Sequence, residues 1–227
     1  MTFMKSRLLS FIAAFLLGSI HQAHSGIQSV RNESNKWESS IVSFEQNDRL
    51  HPPPARAILF IGSSTIVRWK SLESDFPGLP ILNRGFGGSE ISDINTYADR
   101  IVFHYAPPKI FFRAGSNDLH AGKSPRQVFD DFQQLASRVR AKLPETEFFY
   151  IALAPAIDRK SEAEVTRELN EMIRNSIKQL PHFHYIDAWS VTLDSSGNLR
   201  PELFQADKLH LNERGYKILA DRVRPYL

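Results

Sequence analysis

Apolar residues fall along this chain in two alternating rhythms. Short runs at 58–61 (ILFI), 81–83, 109–114 (KIFFRA), 147–153 (EFFYIAL) and 183–186 have the pattern of strands buried on both faces of a parallel sheet. Between them, apolar positions recur at helical spacing. They are Ile66, Val67 and Trp69; then Ile91, Ile94, Tyr97, Ala98 and Ile101; then Val128, Phe129, Phe132, Leu135, Val139 and Leu143. Val165, Leu169, Met172, Ile173 and Ile177 predict a helix over about 161–180, and Tyr216, Ile218, Leu219 and Val223 a last one. Strands alternating with helices five times predict an α/β domain: one parallel sheet covered on both faces and joined by right-handed crossovers. Ser124-Pro125 and Asn212 read as helix starts. Trp37, Ile41 and Phe44 predict a short helix before the sheet, and His51-Pro52-Pro53-Pro54 a stiff connector into it.

The strand ends carry the polar chemistry. The first strand stops at Gly62-Ser63-Ser64 and a helix-like segment follows at once. That geometry sets a serine outside the carboxyl end of a strand, where ligands bind in such sheets and helix N-termini present their amides. Either serine could instead be a plain helix cap. The second strand runs into Arg84-Gly85-Phe86-Gly87-Gly88-Ser89, the third into Gly115-Ser116-Asn117-Asp118, and the fifth ends at Asp187. Near the C-terminus, Asp207 and His210 are three residues apart, close enough for one tight turn to hold the carboxylate against the imidazole. Asp187 is the other candidate for that carboxylate. Asn117 offers a side-chain N–H and Gly88 a backbone N–H, which with the amide of Ser64 make three donors for an oxyanion. A turn with positive φ is the competing explanation for the glycines, foremost for Gly85 or Gly87. His104 and His120 lack an acid at such spacing, His182 and His184 share one face of a strand edge, and all four read as surface or packing residues, with Trp69 as core. Arg84 and Arg113 lie beside the candidate site and could meet an anionic substrate, or simply be solvated or paired.

Composition narrows the classes. No cysteine is present, so disulfides, thiolate metal sites and a cysteine nucleophile are excluded. The glycine-rich stretch follows the second strand and lacks the dinucleotide spacing, and no metal-ligand motif is evident, so no cofactor and no metal are expected. Lys5 and Arg7 precede an apolar run over 8–20 and then Ala23-His24-Ser25, the layout of a cleavable export signal cut before Gly26. The run is shorter than the ~20 residues a membrane span needs, so stable membrane insertion is not expected. The expected organisation is a signal peptide at 1–25, an N-terminal extension with a short helix at 26–56, and one catalytic domain at 57–227. A secreted or periplasmic location follows. Loss of the leader lowers the formal charge from +3 to +1, and without a basic-aromatic stripe nothing favours nucleic acid as a partner.

Taken together, Gly62-Ser63-Ser64, Asn83–Gly88, Gly115-Ser116-Asn117-Asp118 and Asp207-Lys208-Leu209-His210 resemble, in order, four sequence blocks of the SGNH hydrolases, the GDSL-type esterases and lipases. The resemblance spans roughly residues 37–227 and is similar above all to small bacterial secreted members. It implies a flavodoxin-like three-layer sandwich, Ser64 as nucleophile, Asp207 and His210 as its partners, and an oxyanion hole of Ser64, Gly88 and Asn117. The first block departs from the usual Gly-Asp-Ser at Ser63; the residue replaced there is not the triad acid. The expected activity is hydrolysis of a small-molecule carboxylic ester through an acyl-enzyme, with short loops favouring small acyl groups. The alternative is a non-catalytic secreted carbohydrate-binding module on the same fold. Oligomeric state is not legible in the sequence.

Overall fold

The computed structural model describes residues 36–227. The expected signal peptide, and the first ten residues of the extension after it, lie outside the described residues. Internal contacts divide the chain into Met1–Ser39 and Ser40–Leu227, and the sheet and the site lie in the second unit.

After helix α1 (Glu38–Leu50) come β1 (Ile58–Gly62), α2 (Ser64–Val67), α3 (Leu72–Asp75), β2 (Ile81–Gly85), α4 (Ile91–Ile101) and β3 (Lys109–Arg113). Then follow α5 (Ser116–His120), α6 (Pro125–Lys142), β4 (Glu147–Ile151), α7 (Ala163–Ile177), β5 (Phe183–Ile186) and α8 (Glu213–Val223). The five strands form one parallel sheet in the order β2-β1-β3-β4-β5. Chain order reverses at β1, so its carboxyl end, with Gly62 paired to Gly85 on one side and Arg113 on the other, borders the switch-point crevice. This is the expected three-layer α/β/α sandwich.

The two apolar layers follow from strand alternation. Phe111 stacks on Phe60 and Phe149, each at 4.7 Å between ring centroids, on the face that also holds Trp69 and Tyr216 of α8. Its neighbour Phe112 points the other way, into Phe132 of α6, Phe148 and Tyr150. All these rings are buried, and truncating any one to alanine should cost about 3–5 kcal/mol.

The helix expected from Ile66, Val67 and Trp69 is shorter than its pattern suggests. Trp69 turns into the core, and its indole N–H donates to Asp75 at 2.7 Å, as does the Ser71 hydroxyl. That shared carboxylate divides the segment into the single turns α2 and α3. The other caps are as expected. Ser124 accepts from Gln127 N–H in a capping box, and Asn212 accepts from the N–H groups of Arg214 and Gly215. Strand β2 runs two residues further than its apolar stretch because Arg84 finds a partner: its guanidinium pairs with Asp48 of α1 and donates to Tyr105 at 2.8 Å.

Candidate active site

The turn at Gly62-Ser63-Ser64 is built by close backbone approach. Gly62 has φ +151°, and a Cβ there would stand 2.1 Å from the Arg113 carbonyl oxygen, so only glycine closes the strand end. Ser63 is buried, its N–H donates to that same carbonyl at 3.2 Å, and its own carbonyl accepts from Ile66 and Val67. Ser63 holds the cap position, but its side chain makes no capping hydrogen bond. Ser64 therefore begins α2 with a backbone N–H that has no acceptor within the helix. From the far end of the chain, the Tyr216 hydroxyl donates to the Thr65 carbonyl at 2.9 Å and fastens α8 to this turn.

His210 reaches the same place from the opposite terminus. Ser64, Asn117 and His210 all line one cleft of about 60 Å³ above the carboxyl ends of the strands, with Ser63, Arg113, Arg159 and Leu211 among the other lining residues. The His210 imidazole contacts Asp207 at 2.7 Å from Nδ1 to Oδ2, while Oδ1 accepts the N–H groups of Leu209 (3.1 Å) and His210 (3.0 Å). Between them Lys208 takes a left-handed φ of +57°, which closes the turn. Burial opposes the Asp207 charge, but the hydrogen bonds from the His210 backbone and ring outweigh it and hold the carboxyl at about 2. Asp187, the other candidate, is exposed and engaged elsewhere, accepting from Arg174 at 3.2 Å and from the Trp189 N–H at 3.1 Å.

Asn117, the second residue of α5, is gripped at both ends of its amide. Nδ2 donates to the Ser89 carbonyl at 3.0 Å, and Oδ1 accepts from Arg159 Nη2 at 3.1 Å. The amide nitrogen carries two hydrogens, so one remains for the cleft. Gly88 precedes that Ser89 carbonyl but is not itself among the cleft-lining residues. The positive φ expected at Gly85 or Gly87 belongs instead to Gly88, at +81°. Gly85 is fixed by packing, since a Cβ there would stand 2.6 Å from the Val67 nitrogen. The loop is tied down by Asp118, which is fully buried and accepts from the Ile91 N–H at 3.0 Å. Burial raises the Asp118 carboxyl to about 6, against the pull of that N–H and of Lys123.

The two arginines singled out in the sequence part company. Arg84 is buried against Asp48, away from the cleft, whereas Arg113 lines it. Arg159, which no sequence signal marked, lines it too. Of the four other histidines considered in the sequence, His120 pairs with Glu162, His182 and His184 pair with Glu147, and His104 packs edge-on against Tyr105, none of them lining the cleft.

A serine, an imidazole oriented by a carboxylate, and an anchored amide around a narrow cleft are parts of an acyl-transfer site. The match to known proteins has the same sense. The model of the GDSL-like lipase/acylhydrolase family matches residues 62–218, and the chain belongs to that family, within the SGNH superfamily. It is accordingly an acyl-ester hydrolase. Among curated relatives, human platelet-activating factor acetylhydrolase IB subunit alpha1 is 24% identical over 197 residues, covering 84% of this chain and 81% of that protein. Among solved structures, one from Streptococcus pneumonia superposes with a TM-score of 0.74 at 20% identity, over 89% of this chain and 98% of that one. An acetyl-xylooligosaccharide esterase from Geobacillus gives 0.58 at 16%, over 74% and 93%. Among the described residues, no helix is long and apolar enough to cross a membrane.

Proposed function

We propose that this chain is a serine-dependent carboxylic ester hydrolase of short acyl esters, secreted or delivered to the periplasm by its N-terminal leader. The observation that carries the reading is the presence of Ser64, Asn117 and the Asp207-paired His210 at one cleft, although they come from three widely separated stretches of the chain. His210 accepts the Ser64 proton as the hydroxyl oxygen attacks the ester carbonyl; Asp207 holds the ring and steadies the imidazolium that forms. The N–H groups of Ser64 and Gly88 and the free Asn117 amide hydrogen receive the oxyanion, each such donor being worth about 10²–10³ in turnover. The imidazolium then protonates the leaving alkoxide. Water, deprotonated by the same ring, releases the acid and restores Ser64. A cleft of about 60 Å³ has room for roughly four water-sized groups, which favours acetyl or propionyl over long acyl chains. The platelet-activating factor acetylhydrolase and acetyl-xylooligosaccharide esterase names of two similar proteins agree with a small acyl group.

The test is a panel of p-nitrophenyl esters from acetyl to octanoyl, run on the wild type and on Ser64→Ala, with fluorophosphonate labelling read by mass spectrometry. Turnover that falls with acyl length, a single adduct on Ser64, and loss of both in the variant are expected. A folded Ser64→Ala protein that keeps its esterase activity overturns the assignment. Export is checked by the N-terminus of the secreted protein, expected at Gly26.

A further inference from the structure

The cleft is lined by two arginines and by no aspartate or glutamate. Arg113 is 7% exposed. It ends β3, and its Nη1 donates to the carbonyls of Ala152 and Ile151, neutral groups at the end of β4. Its Nε is buried with no hydrogen-bond partner, and among the described residues no carboxylate forms an ion pair with it. Burial pulls its pKa down, and the groups that oppose this through space are tyrosines, Tyr150, Tyr216 and Tyr185, while Arg159 and His210 share the cleft with it. Arg159, across the cleft, gives Nη1 to Ser116 and Nη2 to Asn117, and its Nε too is buried and unpartnered. Asp158 and Glu162 act on Arg159 through space, but neither forms an ion pair with it. Arg113, desolvated and without an ion-pair partner, and Arg159, half-buried, line one small cavity, and an anion placed there is stabilised more than it would be in open water.

We propose that the cleft selects esters carrying a carboxylate within two or three atoms of the scissile carbonyl, with Arg113 receiving that carboxylate while Ser64 attacks the ester. This inference rests on the esterase reading above and specifies its substrate class. The carboxylate could belong to the acyl half or to the alcohol half. A charge-assisted hydrogen bond on a buried guanidinium corresponds to a preference of roughly tenfold or more over a neutral ester of equal size.

The experiment compares kcat/KM by pH-stat for two matched pairs. Monomethyl malonate against methyl butyrate places the charge in the acyl half; acetoxyacetate against propyl acetate places it in the alcohol half. The wild type should prefer the charged member of one pair at least about tenfold, and that pair identifies the half that faces Arg113. In Arg113→Met the ratio within the pair should collapse toward one, with Arg113→Lys intermediate. The ratio is internal to each protein, so reduced yield of a variant does not disturb it. Should Arg113→Met fail to fold, the wild type is tested alone: malonate should compete with methyl butyrate hydrolysis and butyramide should not. Equal rates within both pairs, or a preference that survives Arg113→Met, overturn the inference and leave the esterase reading standing. Activity retained by Ser64→Ala overturns the esterase reading itself.

Discussion

One oxygen of Asp207 lies 2.7 Å from Nδ1 of His210, and the other accepts the backbone N–H of that same residue. The carboxylate thus sets both the ring and the peptide that carries it. Because the two groups are three residues apart, the orientation is local and does not depend on the packing of distant loops. Replacing Asp207 by alanine should therefore lower kcat by about 10²–10⁴. Asp187→Ala, which loses only the exposed contacts to Arg174 and the Trp189 N–H, should stay within a few-fold of wild type. Steady-state kinetics on the two variants, side by side, checks this. Reversal of the order assigns the acid to Asp187.

The same geometry fixes the acid limb of the pH profile. Hydrogen bonds from His210 keep the Asp207 carboxyl at about 2, so it stays ionised throughout the range in which imidazoles titrate. Asp207 should therefore add no step of its own to the fall in kcat/KM on acidification until about pH 4. A carbon-13 NMR titration of its carboxyl with a midpoint above that would show that these hydrogen bonds do not hold it ionised.

Arg159 is expected to act through Asn117. Its Nη2 donates to Oδ1, which leaves the amide only one orientation, with Nδ2 toward Ser89 and the cleft. Arg159→Ala frees the amide to flip and removes a positive charge from behind its oxygen. The expected cost is about 10–10² in kcat toward a neutral ester, somewhat less than deleting an oxyanion donor outright, with KM changed less than kcat. A loss confined to KM would reduce Arg159 to a substrate contact.

Much of this site could be read in the sequence because its principal groups stand where the chain changes rhythm. Ser64 and Asn117 follow apolar strand runs directly, and Asp207 and His210 make their contact within one turn. What stayed hidden depends on contacts far apart along the chain. The partner of Arg84 is Asp48, 36 residues earlier, so the arginine could not be separated from Arg113 by its position alone. Arg159 sits in a loop without periodicity, and only the folded chain brings it to Asn117, 42 residues away. The helix after Ser64 was legible in its start but not in its end, which Asp75 decides by holding Trp69. Backbone sign was equally out of reach: adjacent glycines at 87 and 88 look alike in sequence, and only Gly88 adopts positive φ.

Gly85 supports the turn that carries Ser64 from beneath, and its replacement should show in both stability and rate. A Cβ there would stand 2.6 Å from the Val67 nitrogen and 2.8 Å from the Ile66 Cβ, distances at which β2 or α2 must move. Gly85→Ala should destabilise the fold by about 1–3 kcal/mol, as overpacking generally does. It should also lower kcat, because α2 carries Ser64. Unfolding by urea and kinetics on the same preparation test both effects; an unchanged urea midpoint would mean that the strand and the turn can separate at no cost.

Asp118 gives the fold a pH signature opposite to that of Asp207. Its carboxyl is raised to about 6 in the folded chain, against about 3.9 when unfolded. The native state therefore binds a proton more tightly than the unfolded chain between those values. This group's contribution is most favourable below about pH 4 and is lost as pH rises through about 6. Asp207, held at about 2, contributes stability that is complete above about pH 4 and is lost as pH falls toward 2. Asp118→Asn keeps an oxygen acceptor for the Ile91 N–H but cannot titrate. Urea midpoints measured between pH 4 and 7 should fall with pH in the wild type more steeply than in this variant, whatever the offset between the two curves. Parallel curves would show that Asp118 is no more protonated in the folded chain than in the unfolded one, with the paired ammonium of Lys123 outweighing its burial.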